Sequence, residues 1–329
     1  MIVHRPWHWF AVAAALALVC IAAVASGAVS IPVADVMRAI VGKGDSSVIA
    51  IVRNLRLPRV ALAALIGAGL GMSGGALQGT LRNGLAEPYL LGVSGGAAVG
   101  AVVAFAVGVS RAGWVALAAF VGATVAVMLA LLVARAAGRG GRGDPRTLLM
   151  AGVVIGAFAN AVIMIALANA PPNTIRGALW WMMGSAGDAT WQVVGVLALS
   201  VFAGGAALVY LARDIDVLAL GEEPAAALGV DVDRAARTIY LLSALLAAAT
   251  VAAAGLVGFV GLIVPHLVRS AGVRRHRPLL LGAALVGATL VVGADLAARI
   301  LRPPAELPLG AVTAILGVPF FLAQLRKTA

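Results

Sequence analysis

Ten apolar stretches, separated by charged or proline-bearing breaks, run the length of the chain, near 10–29, 58–81, 88–108, 114–137, 147–168, 191–211, 236–254, 255–268, 278–298 and 308–325. A helix needs about 20 apolar residues to cross the hydrocarbon core of a bilayer. The pattern therefore predicts an all-α polytopic membrane protein of about ten transmembrane helices, a single membrane domain over 1–329, with the eighth span short and hard to divide from the seventh. Within the second span Gly67, Gly71, Gly75 and Gly79 recur every four residues, on one helix face. Such a ridge lets another backbone approach closely, as small-xxx-small interfaces do, so these four are assigned to helix packing. Gly92, Gly96 and Gly100 repeat the device in the third span.

Composition removes the soluble alternatives. Of 329 residues 62% are hydrophobic and 11% charged, with a mean hydropathy of +1.05, whereas a water-soluble domain carries roughly 25% charged residues. A cytosolic enzyme and a disordered tail protein are excluded, and ten spans of about 20 residues leave no room for an added soluble domain. The net charge of +11 is a nucleic-acid signal only in a soluble chain. In a membrane protein it is the arginine excess of cytoplasmic loops. With both termini inside, 15 of the 24 Lys and Arg fall in inside segments, which supports cytoplasmic N- and C-termini. A cleavable leader, Arg5 before an apolar run ending Ala23-Val24-Ala25, would leave the later topology unchanged. Trp7, Trp9, Trp114 and Trp191 stand at span edges as interfacial anchors. The single cysteine, Cys20, leaves no intrachain disulfide.

Candidate chemistry is sparse. Gly69-Leu-Gly71-Met-Ser-Gly74 matches the dinucleotide fingerprint in letters, but that signal needs a preceding strand, and here it lies inside an apolar helix. No Walker A motif is present, since neither Lys43 nor Lys327 has the required neighbours; the Gly138 to Gly143 run shares only glycine content. His4 and His8 are spaced i, i+4 without a carboxylate nearby, and His266, after Pro265, reads as a packed histidine at a broken helix. No catalytic residue and no metal-ligand set is assigned. Asp295 is the one acid inside a span, and Arg299 four residues on is placed to pair with it. A structural pair and a proton relay both remain open.

The loop between the sixth and seventh spans, 213–237, holds Asp214, Asp216, Glu222, Glu223, Asp231 and Asp233, six of the 13 acids. Its centre reads as a short helix. Gly221 stands at the start, acids occupy the first turn where the helix dipole favours them, Pro224 is tolerated early, and Gly229 stands at the end. Leu218, Leu220 and Leu228 are expected to face out of it, towards a partner groove.

Several motifs in order carry a resemblance: Arg56-Leu-Pro-Arg59, Ser73 to Gln78 leading to Arg82-Asn-Gly-Leu-Ala-Glu-Pro88, Leu91 to Gly95, Trp181-Met-Met-Gly-Ser185, Leu220 to Gly229, Gly258 to His266, Asp295 to Arg299, and Glu306-Leu-Pro-Leu-Gly310. Over nearly its full length the chain resembles the FecCD-type (BtuC-like) permease subunits of ABC importers, which carry iron-siderophore complexes, haem or vitamin B12. The resemblance implies the type II ABC importer permease fold, a second permease copy or homologue, two ATPase subunits holding ATP and Mg, and a substrate-binding protein. It places the chain in a bacterial cytoplasmic (inner) membrane, among lipid, with no cofactor and no nucleic acid of its own. It makes 213–237 the coupling loop, with Gly221, Glu222, Glu223, Leu228 and Gly229 meeting the ATPase. It makes Arg56, Arg59 and Arg299 the docking set for the binding protein, and Asn83, Gly84 and Leu85 the inner gate, where Gly84 replaces the family's usual proline. Spans five and ten are expected to line the path. An iron complex is the expected cargo, with vitamin B12 the alternative. An ion-coupled secondary transporter is the rival class, resting on Asp295 alone.

Overall fold

The computed structural model describes residues 7–27, 29–137, 145–303 and 305–328. His4, Arg5, Arg139, Arg142 and the whole Gly138 to Gly143 run lie in 1–6 and 138–144, outside the described residues. The chain forms α1 (Trp7–Ala25), α2 (Val33–Ile40), α3 (Ser46–Ala50), α4 (Leu57–Thr80), α5 (Val93–Ala106), α6 (Ala112–Ala137), α7 (Pro145–Ala168), α8 (Pro172–Met182), α9 (Trp191–Tyr210), α10 (Ala212–Leu218), α11 (Glu222–Ala227), α12 (Val232–Ala254), α13 (Val260–Ser270), α14 (His276–Ile300) and α15 (Leu309–Thr328). No strand occurs among the described residues. Six helical stretches are long and apolar enough to cross a membrane, and Trp9–Ala25, Val93–Ala106, Val260–Ser270 and Leu309–Phe320 are shorter apolar helices. These ten coincide with the ten expected spans.

Three boundaries differ from the sequence reading. The second span does not begin at 58: α3 runs into α4 through a π-helical segment, Ile51–Arg56, in which the Leu57 N–H reaches the Val52 carbonyl five residues back. The third span starts late, because Pro88–Leu91 is a 3-10 turn ended by Gly92 in the left-handed region, which leaves α5 only 14 residues. The seventh and eighth are divided by a non-helical stretch, 255–259, with Gly255 at φ 72° and Phe259 at φ 67°. Gly255 is required there twice over: a Cβ would also lie 2.1 Å from the Trp181 carbonyl oxygen.

α4 is the axle of the bundle. Its most apolar window is 78% buried, against 28% for α7 and α9, and it packs on α9, α12, α13 and α14. The glycine ridge makes this possible. A Cβ on Gly67 would lie 2.0 Å from the Gly287 carbonyl oxygen of α14, one on Gly71 2.4 Å from the Ala283 oxygen, and one on Gly79 2.2 Å from His276 Nε2. Gly74, between the ridge positions, meets the Gly261 oxygen of α13 at 1.9 Å. Of the third-span glycines, Gly96 and Gly100 do the same for α5 and α6, against Gly122 and Ala118, whereas Gly92 precedes α5 and serves its left-handed turn instead. Backbone cannot yield as a flexible side chain does, so Gly67→Ala is expected to destabilise the bundle by about 1–3 kcal/mol, the usual range for overpacking. Thermal unfolding of the purified protein measures it, with Gly113→Ala, where a Cβ meets nothing within 4 Å, as the neutral control.

Candidate functional site at the two ends of α4

At the N-terminal end of α4, five charged residues converge. Arg59 donates from Nε to both Asp295 oxygens, at 3.0 and 3.1 Å, and from Nη2 to Oδ1 at 2.9 Å. The same guanidinium reaches Glu306 through Nη1 and Nη2, each at 2.8 Å. Arg299 Nε stands 3.1 Å from the other Asp295 oxygen, in the i, i+4 relation expected from the sequence. Asp295 is therefore the buried centre of an Arg59–Asp295–Arg299 triad that ties α4 to α14. This is the structural pair of the sequence reading, widened by a second arginine that lies 236 positions away.

Arg56 and Arg299 have a further task that their motifs did not announce. Arg56 Nη1 donates to the Val24 and Ala25 carbonyls at 2.7 and 2.9 Å, and Nη2 to Val29. Arg299 donates to Ser26 and Ala23 at 2.9 and 3.0 Å. The last carbonyls of a helix have no partner within it, and cations suit that negative end; the two arginines close the C-terminus of α1. Only 8% and 7% of their surfaces are exposed. Arg56 and Arg299, expected to meet a binding protein, thus also carry a structural task, with their guanidiniums bonded to backbone and Asp295. Arg59, half-hidden beneath Glu306, is likewise committed. Glu306 itself is exposed, and its hydrogen bonds to Arg59 hold its carboxyl below the ordinary glutamate value. The Arg59–Glu306 contact is then complete at neutral pH and is lost only as pH falls through that depressed value.

Motifs far apart in sequence meet beside this cluster. The Leu309 and Gly310 N–H groups donate to the Gly184 and Met183 carbonyls at 3.0 and 3.1 Å, and the Ser185 N–H to Ala254 at 2.8 Å. The ends of α8 and α12 and the start of α15 are thereby joined.

At the other end of α4 the chain turns through Arg82, at φ 50°. Asn83 Oδ1 accepts from the Leu85 N–H at 2.9 Å, and the Ala86 N–H donates to the Asn83 carbonyl at 3.0 Å. Gly84 occupies the second position of this turn, where proline is favoured in other chains. It is not in the left-handed region, and a Cβ there meets nothing within 4 Å. The asparagine side chain closes the turn without the proline. The segment is stapled to the α12–α13 break: Glu87 accepts from the Phe259 N–H at 3.0 Å, Tyr89 Oη bonds both the carbonyl and the N–H of Val257, and Gln78 donates to Leu262 at 3.1 Å while accepting from Arg269. Burial pushes the Glu87 carboxyl up. Sequence reasoning quoted Gln78 and Glu87 only as motif residues without a role and did not single out Tyr89; the legible signal was a polar side chain inside or beside an apolar span.

The 213–237 loop holds two short helices rather than one. α10 packs on the bundle, with Leu218 only 5% exposed, whereas Leu220 and Leu228 are 65% and 62% exposed. Leu218 is thus corrected from an outward to a core residue, since it ends α10 and points back into the bundle. α11 follows Gly221, whose φ of 123° suits glycine, and ends at Leu228 before Gly229 at φ 81°. Glu222 and Glu223 are exposed in its first turn. Two ties hold the segment to the helices: Arg82 to Glu222 at 3.8 Å, and Asp216, which accepts from the His276 backbone N–H at 2.9 Å and stands 2.7 Å from Nδ1. Among the described residues no group of three or more potential metal ligands occurs.

The architecture is that of a polytopic helical membrane permease, with a central helix whose two ends carry an ion cluster and a turn tied to an exposed loop helix. Residues 15–327 match the FecCD transport family, and the chain belongs to it. It is 43% identical over 276 residues, 84% of this chain and 73% of that protein, to the cobalamin import system permease protein of Halobacterium salinarum. It is 40% identical over 270 residues, 82% of this chain and 81% of that protein, to the hemin transport system permease protein of Yersinia pestis. A solved metal-chelate type ABC transporter in an inward-facing conformation superposes with a TM-score of 0.88 at 28% identity, over 98% of this chain and 100% of that one. The protein is a multi-pass permease subunit of an ABC importer, and it works with ATPase subunits and a permease partner.

Proposed function

We propose that this chain forms, with a second permease copy or homologue, the path by which an iron complex, a siderophore chelate or haem, crosses the cytoplasmic membrane intact. The carrying observation is α11: an exposed six-residue helix flanked by the exposed Leu220 and Leu228, set between two spans and tied through Arg82 to the Asn83–Gly84–Leu85 turn. Two ATPase subunits, holding ATP and Mg, engage this surface, and its displacement works the inner gate. α7 and α15 carry exposed apolar faces, among them Phe158, Ile165 and Ile315, which suit the path and the partner permease. At the opposite end a substrate-binding protein docks. Arg53 and Arg302 are among the exposed arginines there, while Arg56, Arg59 and Arg299 hold the ledge beneath them. This orientation puts both termini in the cytoplasm, in keeping with the arginine distribution.

Identity of 43% to a cobalamin permease favours cobalamin as the second reading. The complex of this permease with its ATPase and binding protein, reconstituted in vesicles, separates the two. ATP-dependent uptake of a ferric siderophore or haem, with cobalamin excluded, is the expected result. Uptake of cobalamin alone establishes the second reading, and uptake without ATP overturns both in favour of a secondary transporter.

A further inference from the structure

A cavity of about 650 Å³ lies between α6, α9 and α12, its rim at Asp188 one residue from Gly187, which lies against Arg59 and Glu306. It exists because small residues face one another: Gly113 and Ala116 on α6 against Ala249, Ala252 and Ala253 on α12. Leu117, Phe120, Val193 and Leu197 complete an apolar trough, and Leu117 and Val196, both exposed, show that it opens on the perimeter of the bundle. Its mouth is polar, with Arg111, Asp188 and Gln192. Neither the Arg111 nor the Asp188 side chain has an ion-pair or hydrogen-bond partner among the described residues, whereas Arg56, Arg59, Asp295, Arg299 and Glu306 at this end of α4 are tied to one another or to backbone.

The height of the mouth is marked independently. Trp114 and Trp191, 56% and 52% exposed, stand within three residues of Arg111 and Asp188, and exposed tryptophans mark the headgroup level of a bilayer. The site therefore combines an apolar slot reaching into the membrane with one free cation and one free anion at headgroup height. The size is within the roughly 300–1,000 Å³ of small-molecule sites, and a slot of this polarity excludes a soluble polar ligand. We infer that the groove holds one acyl chain of a phospholipid with a zwitterionic headgroup bearing a primary ammonium, the phosphate against Arg111 and the ammonium against Asp188. A headgroup of one sign would leave one of the two side chains facing a like charge.

Native mass spectrometry of the permease in its assembled transporter, after graded delipidation and re-addition of phosphatidylethanolamine, phosphatidylglycerol or phosphatidylcholine, tests this. Wild type is expected to retain one phosphatidylethanolamine per permease chain in preference to the other two. Arg111→Gln should weaken that retention about tenfold, the scale of one charge-assisted hydrogen bond, and Asp188→Asn should erase the preference over phosphatidylglycerol. Ala249→Leu, which fills the slot one helical turn below the mouth, should abolish retention while the complex still assembles by gel filtration; Ala116→Leu is the second filling variant should the first not assemble. Equal retention of all three lipids by wild type, preferential retention of phosphatidylglycerol, or unchanged retention in an assembled filling variant would each overturn the assignment.

Discussion

Asp295→Ala is expected to destabilise the folded permease by about 3–5 kcal/mol, the range found when one partner of a buried ion pair is removed. The carboxylate lies between two guanidiniums, on Arg59 and Arg299, whose side chains are 13% and 6% exposed. Without it those cations face each other in a low-dielectric setting, with Glu306 as the nearest acid. Arg299 is also a clamp on α1, so strain at the triad should pass to the first helix. Glu306→Ala removes another Arg59 partner, but one that is 41% exposed, and exposed pairs contribute about 0–1 kcal/mol. The measurement is thermal unfolding of the two variants in detergent, side by side. Comparable losses in the two would contradict the account of burial, and Asp295→Asn, which keeps acceptor geometry without charge, should fall between them.

Leu228→Asp and Glu222→Lys are expected to leave a folded permease that no longer couples. Both residues are exposed on α11, and Ala225 alone anchors that helix inward, so stability should change by no more than a few tenths of a kcal/mol, as at ordinary surface positions. Loss of function follows from loss of a partner contact. A buried apolar contact at an interface centre is worth about 2 kcal/mol or more when it is a hot spot, and an aspartate there adds the penalty of burying a charge. Co-purification with the ATPase and vesicle uptake are the readouts: the variants should lose both while unfolding at the wild-type temperature. Full uptake by Leu228→Asp would remove α11 from the coupling role. Glu222→Lys also turns the 3.8 Å contact with Arg82 into a repulsion, so it should disturb the gate turn even where the ATPase still binds.

Much of this molecule is written locally in its chain. Ten apolar runs set the number and order of the membrane helices, since a backbone in lipid must satisfy its own hydrogen bonds and does so as a helix. The i, i+4 glycines marked a close-packed face, the Asp295 to Arg299 spacing marked an ion pair, and the acid, proline and glycine positions of 218–229 marked a short helix between two turns. Each of these rests on relations within one or two helical turns, which periodicity exposes. What periodicity does not contain is the identity of the facing element. The ridge of α4 could have met any helix, and only the assembled bundle sets Gly67 on Gly287 and Gly71 on Ala283. The same holds for charge: Arg56 and Arg299 resemble surface arginines in a docking motif until the end of α1 is laid across them, and Leu218 resembles its exposed neighbours until α10 turns it inward. Arg59 and Asp295 are brought together only by α4 lying along α14. The sequence by itself determined which segments are helices and which faces are smooth or charged. The tertiary structure decided which charges are buried and which remain to meet a partner, because burial depends on neighbours that a single stretch of chain does not carry.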